Sequence, residues 1–179
     1  IEELKENEFK TLFKDEEKSQ EKNYVKEVQI DTDFEILLPD NYINIVNERL
    51  ILYNKLSAIK DEDTLVKFQK NMEDRFGKIP AEGEELLSTL RLKWLASKMG
   101  LERLIIKNKK CVAYFLSDQQ SDFYQSPLFN QILVGVQKQP NKYSIKEKQT
   151  RNGLRLLLVL DQVHTVEKLL EQLNNLVGS

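Results

Sequence analysis

At 179 residues the chain has room for one domain, or one domain with an appendage, and can bury roughly two-thirds of the surface its unfolded form exposes. Its 27 Lys and Arg stand against 29 Asp and Glu, so a formal charge of -2 leaves no general basic excess to hold it on phosphates; a nucleic-acid role needs a local patch. The single cysteine, Cys111, and single histidine, His164, exclude an intramolecular disulfide, a Cys cluster and a metal site built on two imidazoles.

No apolar run approaches the roughly 18 residues needed to span a bilayer, and the acidic start, Ile1-Glu2-Glu3-Leu4-Lys5, is unlike a signal peptide. A reducing, cytoplasmic setting without membrane contact is expected. The chain lacks an initiator Met and opens in mid-pattern, which suggests a fragment of something longer. Residues 1–26 form a charged tract with few apolar side chains (Leu4, Phe9, Leu12, Phe13), read as a helix end running into a linker. The folded domain is expected over 27–179, opening on extended pieces marked by Val25, Val28, Ile30, Phe34, Ile36 and Leu38.

Pro39 ends that segment, and Asp40 or Asn41 can cap a helix over about 41–59. Its Tyr42, Val46, Leu50, Tyr53, Leu56 and Ile59 recur at helical steps, and Ile43, Ile45, Ile51 and Leu52 widen the stripe, which predicts packing on two sides. Asp61-Glu62-Asp63 suits the positive end of a second helix with Leu65, Phe68, Met72 and Phe76 as its core face, and Gly77 is the expected left-handed stop. Pro80 fits the first turn of a third helix carrying Leu86, Leu87, Leu90, Trp94, Leu95 and Met99, ended by Gly100.

The period then changes. Residues 103–106 and 111–116 read as strands of a hairpin around Lys107-Asn108-Lys109-Lys110. Ser126-Pro127 opens a helix with Leu128, Phe129, Ile132, Leu133 and Val136. Strands over 143–146 and 154–160 flank a turn at Asn152-Gly153, and a last helix bears Val166, Leu169, Leu170, Leu173 and Leu176. Two strand-strand-helix units in succession predict an α+β fold, with a mainly antiparallel sheet and helices packed on it.

Catalytic signatures are missing from this pattern. The glycines never cluster, so neither a Walker-type loop nor a dinucleotide fingerprint is present, and no cofactor is expected in this chain. Cys111 lies in an apolar strand pattern, the setting of a buried inert thiol, and His164 lies on a turn read as exposed. Most carboxylate pairs fall at helix starts or in the charged tract. Glu73-Asp74-Arg75 differs: it lies in the last turn of its helix, where negative charge is mildly unfavourable. Two readings stand, an exposed turn with Asp74 paired to a nearby cation, or a charged contact to another domain in which Arg75 presents a planar fork to a carboxylate. Lys107, Lys109 and Lys110 have the composition of a phosphate contact as well as of an ordinary hairpin tip, and Lys138, Lys142, Lys146, Lys148 and Arg151 form a second basic concentration.

An ordered series of segments carries a resemblance. Leu37-Leu38-Pro39-Asp40-Asn41-Tyr42-Ile43, the stretch from Val46 to Leu56, Asp74-Arg75-Phe76-Gly77 with Pro80, then Leu92, Ala96, Met99 and Gly100, and Gln137-Lys138-Gln139-Pro140 with Tyr143, look like the C-terminal domain of bacterial transcription-repair coupling factors. The resemblance runs from about Glu27 to the end and implies that residues 1–26 link this domain to a translocase module. It also implies a non-catalytic regulatory domain. In the parent, an ATP- and Mg-dependent duplex-DNA translocase removes stalled RNA polymerase and recruits the excision-repair protein UvrA. The domain masks the UvrA-binding module of the same polypeptide and restrains the motor. Asp74 and Arg75 would make the polar contact to that module; a family acidic position falls on Asn71, a departure for which Glu73 or a hydrogen bond from Asn71 itself could substitute. The alternative is a nucleic-acid-binding accessory module using Lys107, Lys109 and Lys110.

Overall fold

The computed structural model describes residues 23–178. Within them the order is β1 (Gln29–Thr32), α1 (Val46–Ser57), α2 (Glu62–Phe76), α3 (Ala81–Lys98), β2 (Leu101–Lys107), β3 (Lys110–Phe115), a 3-10 turn (Asp122–Gln125), α4 (Pro127–Lys138), β4 (Tyr143–Thr150), β5 (Gly153–Asp161) and α5 (Val166–Val177). The expected α+β architecture is present, and the two strand-strand-helix units are β2-β3-α4 and β4-β5-α5. None of these helices is long and apolar enough to cross a membrane.

The five strands make one sheet in the order β1-β2-β3-β5-β4, so the two hairpins join through β3 and β5. All neighbours are antiparallel except β1, which runs parallel to β2. The β2-β3 turn places Asn108 (φ 55°) and Lys109 (φ 61°) in succession in the left-handed region, the tight-turn geometry whose twist matches that of the strands it joins.

Because side chains alternate along a strand, the pairing register assigns each residue to a face. Leu104, Ile106, Cys111, Ala113, Phe115, Leu158, Leu160 and Tyr143 share one face and form a single apolar core with Leu92 and Ala96 of α3, Met99 just after it, Ile132 and Val136 of α4, and Leu169 and Leu173 of α5. A second core gathers Leu38, Ile43, Leu52, Leu56, Ile59, Leu65, Met72, Ile79 and Leu87 around α1 and α2. Helix α3 belongs to both cores. It is tied to α5 as well: the Glu85 carboxylate accepts from the Val166 amide at 2.7 Å, where the free amides of a helix start favour negative charge.

Several expectations need correction. Helix α1 starts at Val46 rather than near residue 41, and one face of it is buried, not two. The segment before it folds back over that face: the Tyr53 hydroxyl accepts from the Leu38 amide at 2.9 Å, and Arg49 donates to the Ile43 carbonyl at 2.6 Å. Ile43 is therefore buried ahead of the helix, while Ile45, Val46, Leu50 and Ile51 point outward. Of the extended pieces expected over 25–38, only Gln29–Thr32 is a strand; Val25, Val28 and Leu38 are core residues without strand pairing. Pro80 precedes α3 by one residue, with its carbonyl accepting from the Glu84 amide. Strand β4 runs four residues beyond Lys146, to Thr150.

Candidate functional site

Helix α2 is held at both ends. At its start the Asp61 side chain accepts from the Thr64 amide and hydroxyl, each at 2.8 Å, contacts that hold its carboxyl below the usual range. At its end Gly77, with φ at 89°, turns the chain out of the helix while its amide donates to the Glu73 carbonyl at 2.9 Å. The Tyr42 hydroxyl donates to the Gly77 carbonyl at 2.7 Å, and the Tyr42 and Phe76 rings meet edge to face, 6.0 Å apart. Core residues Leu65 and Met72 fix the rotation of the helix.

That rotation exposes Asn71, Glu73, Asp74 and Arg75 together, though not on one surface. At about 100° per residue, Asn71, Asp74 and Arg75 share one face, at spacings of three and four, while Glu73 lies about 160° around from Asn71. Glu73 accepts from the Gln69 amide at 3.3 Å, and its charge helps push the Tyr42 hydroxyl and Glu84 carboxyl upward, after the larger effect of burial on each. Glu73 therefore does not share a face with Asn71.

Arg75 and Asp74 differ in what they touch. The Arg75 guanidinium donates to Glu48 of α1 at 2.9 Å and lies 4.7 Å over the Phe76 ring. Among the described residues Asp74 makes no hydrogen bond or ion pair. Of the two sequence readings of this turn, the internal pair therefore exists, but it belongs to Arg75.

Sequence reasoning missed Glu48 and the surface beside it. Ile45, Val46, Leu50 and Ile51, at and after the start of the helix that carries Glu48, are 53%, 57%, 53% and 54% exposed. Periodicity alone counted these residues as core, since only the position of residues 37–45 tells the buried stripe from the exposed one.

The basic residues also find a place. Lys107, Lys109 and Lys110 are exposed at the β2-β3 turn, with Lys110 3.9 Å from Asp161. Register places Lys107, Lys110, Lys146 and Lys148 on the same face of the sheet, the one opposite the main core, and the carbonyl of Lys142, just before β4, accepts from the Asp161 amide at 3.5 Å. Lys138 ends α4 and Arg151 lies in the β4-β5 turn, both exposed. Cys111 is fully buried, and burial pushes its thiol up to about 12, so it is no nucleophile near neutrality. His164 is exposed.

A family profile described as the TRCF domain matches residues 32–126. The transcription-repair-coupling factor of Escherichia coli (strain K12) is 31% identical over 144 residues, 80% of this chain and 12% of that protein. The counterpart from Buchnera aphidicola subsp. Acyrthosiphon pisum is 28% identical over 142 residues, 79% of this chain and 16% of that protein. The one from Rickettsia bellii (strain RML369-C) is 32% identical over 93 residues, 52% of this chain and 8% of that protein. The chain thus spans a small part of the length of these curated relatives. A crystal structure of the C-terminal domain of transcription-repair coupling factor matches with a TM-score of 0.61 at 18% identity, over 85% of this chain and 91% of that one, which shows a shared fold. The chain belongs to the TRCF domain family and has the fold of the C-terminal domain of transcription-repair coupling factor.

Proposed function

We propose that this domain is a non-catalytic regulatory module of a bacterial, cytoplasmic transcription-repair coupling factor that works by masking. It docks through Asp74 and Arg75, with Asn71 beside them, on the UvrA-binding module of the same polypeptide, hides that surface from UvrA and restrains an ATP- and Mg-dependent duplex-DNA motor. Engagement of stalled RNA polymerase releases it. The observation that carries this reading is Asp74, a carboxylate without a partner among the described residues, on a helix end beside a guanidinium held by one half-buried carboxylate, Glu48. Exposed ion pairs are each worth about 0–1 kcal/mol, so a contact built from them can be broken by a competing partner, as a switch requires.

The test is binding of UvrA and basal ATPase activity in the intact coupling factor. Asp74→Ala combined with Arg75→Ala raises both, and a folded double variant with unchanged values overturns the masking assignment.

A further inference from the structure

The sheet face turned away from the main core carries its charge in two banks. Lys107, Lys110 and Lys142 stand at one end, where Lys107 pairs with Lys110 across the hairpin and Lys142 follows Lys110 across Asp161. Arg103, Lys146 and Lys148 stand towards the other, alongside Arg155. Lys142 immediately precedes β4 and Lys146 lies four residues further along the chain, which sets the banks about 13 Å from each other at roughly 3.3 Å per residue. Between them runs a row with no charged side chain on its four antiparallel strands: Ile105, Val112, Val159 and Ser144.

Three carboxylates on this surface are already engaged, while Glu27 lines the same pocket as Arg103, Tyr114 and Arg155. Asp31 accepts from Arg103 at 2.7 Å, Glu102 from Arg155 at 3.0 Å, and Asp161 lies 3.9 Å from Lys110. At the rim Asp33 accepts from the Asn108 amide at 3.1 Å. Lys142 and Lys146 have no carboxylate partner among the described residues, and Lys148 turns inward to the Tyr114 ring, 5.8 Å from its centroid, where Arg155 also lies at 5.4 Å. Tyr114 thus holds two cations in place instead of offering a free ring to a base. Lysines on an edge strand such as β4 also discourage pairing with a second sheet. That role explains neither the hairpin lysines nor the arginines on inner strands.

We infer that this face binds the backbone of duplex DNA, one cation bank to each of the two phosphate strands that border a groove. The major groove of B-form DNA is about 12 Å wide, close to the separation of the banks. The strip between them has almost no hydrogen-bonding side chains to read base edges, so recognition is independent of sequence. This surface is distinct from the Asp74 turn, and the inference does not depend on masking.

Fluorescence anisotropy of a labelled duplex of about 20 base pairs, titrated with the full 179-residue chain between about 50 and 200 mM salt, tests it. Each neutralised phosphate contributes a slope of about -0.9 in log K against log salt, so Lys107, Lys142, Lys146 and Lys148 together predict about -4. The combined variant Lys142→Gln, Lys146→Gln, Lys148→Gln lowers affinity at least tenfold and flattens the slope by about 3, while Lys60→Gln with Lys93→Gln, away from this face, leaves both unchanged. Circular dichroism confirms that each variant is folded; Lys142→Gln alone, expected to flatten the slope by about 1, serves if the triple variant is not. Four outcomes overturn the inference: no binding at the lower salt, single strands bound as tightly as duplex, polyglutamate competing as well as duplex, or a folded lysine variant with wild-type affinity.

Discussion

On the proposed docking through Asp74 and Arg75, replacing Glu48 with Ala should strengthen the contact with the UvrA-binding module rather than weaken it. In the free domain Glu48 occupies one edge of the Arg75 guanidinium at 2.9 Å, with Arg75 61% and Glu48 31% exposed. An exposed pair of this kind is worth about 0.2–1 kcal/mol, which a partner carboxylate must displace before it can take the fork. Removing that competition raises affinity by about 1.4- to 5-fold. The stacking of Arg75 on Phe76 survives in Glu48→Ala and keeps the guanidinium oriented, whereas Arg75→Ala removes the ligand itself and weakens docking. Isothermal titration of the domain against the UvrA-binding module measures both, and urea denaturation should place Glu48→Ala within about 1 kcal/mol of the parent stability. If Glu48→Ala weakens docking as much as Arg75→Ala does, the pair is itself the recognition element and the argument from competition fails.

Gly100 has φ at 68°, and a Cβ there would lie 2.6–2.8 Å from the Phe123 ring; Gly100→Ala should therefore cost at least about 2 kcal/mol in urea unfolding. Gly77→Ala, with φ at 89° and open space around the added carbon, should cost about 1 kcal/mol. Equal losses at the two sites would remove the steric part of this reasoning. Burial, then the charge of Glu73, pushes the Glu84 carboxyl above its usual range, so the folded state binds that proton more tightly than the unfolded chain does. Glu84 accordingly favours folding below the unfolded carboxylate range and loses that advantage as pH rises through its folded value. Glu84→Gln should gain stability relative to the parent between about pH 4 and pH 7, and a constant difference across that range contradicts the assignment. Cys111, with its thiol up to about 12, should resist alkylation at about pH 8 until urea unfolds the domain; rapid labelling of the native protein would contradict its burial.

The parts of this fold legible in the sequence are those governed by neighbours along the chain. Ser126 and Pro127 mark the start of α4, and the Ser126 side chain does accept from the Phe129 amide. The Lys107-Asn108-Lys109-Lys110 turn and the α5 stripe are equally local. The joining of β3 to β5 is not, because Cys111 meets Leu160 across 49 positions of chain and no pattern within either strand specifies that partner. Phe123, fully buried among Phe115, Tyr124 and Phe129, lies in a short turn with too few residues to show a period. At the α2 turn the same division holds. The residue types there singled out Asp74 and Arg75, but Glu48 stands 27 residues earlier and depends on how α1 crosses α2.

Helix α3 anchors Leu87 in the α1-α2 core and Leu92 and Ala96 in the sheet core, along one unbroken stretch of 18 residues. A rod embedded in two bodies transmits torque between them. The Asp74 turn and the lysine-bearing sheet face therefore keep a fixed bearing to each other. Tilting the domain at one surface sweeps the other through the same angle, so a ligand held at both must accommodate that geometry or force one contact open.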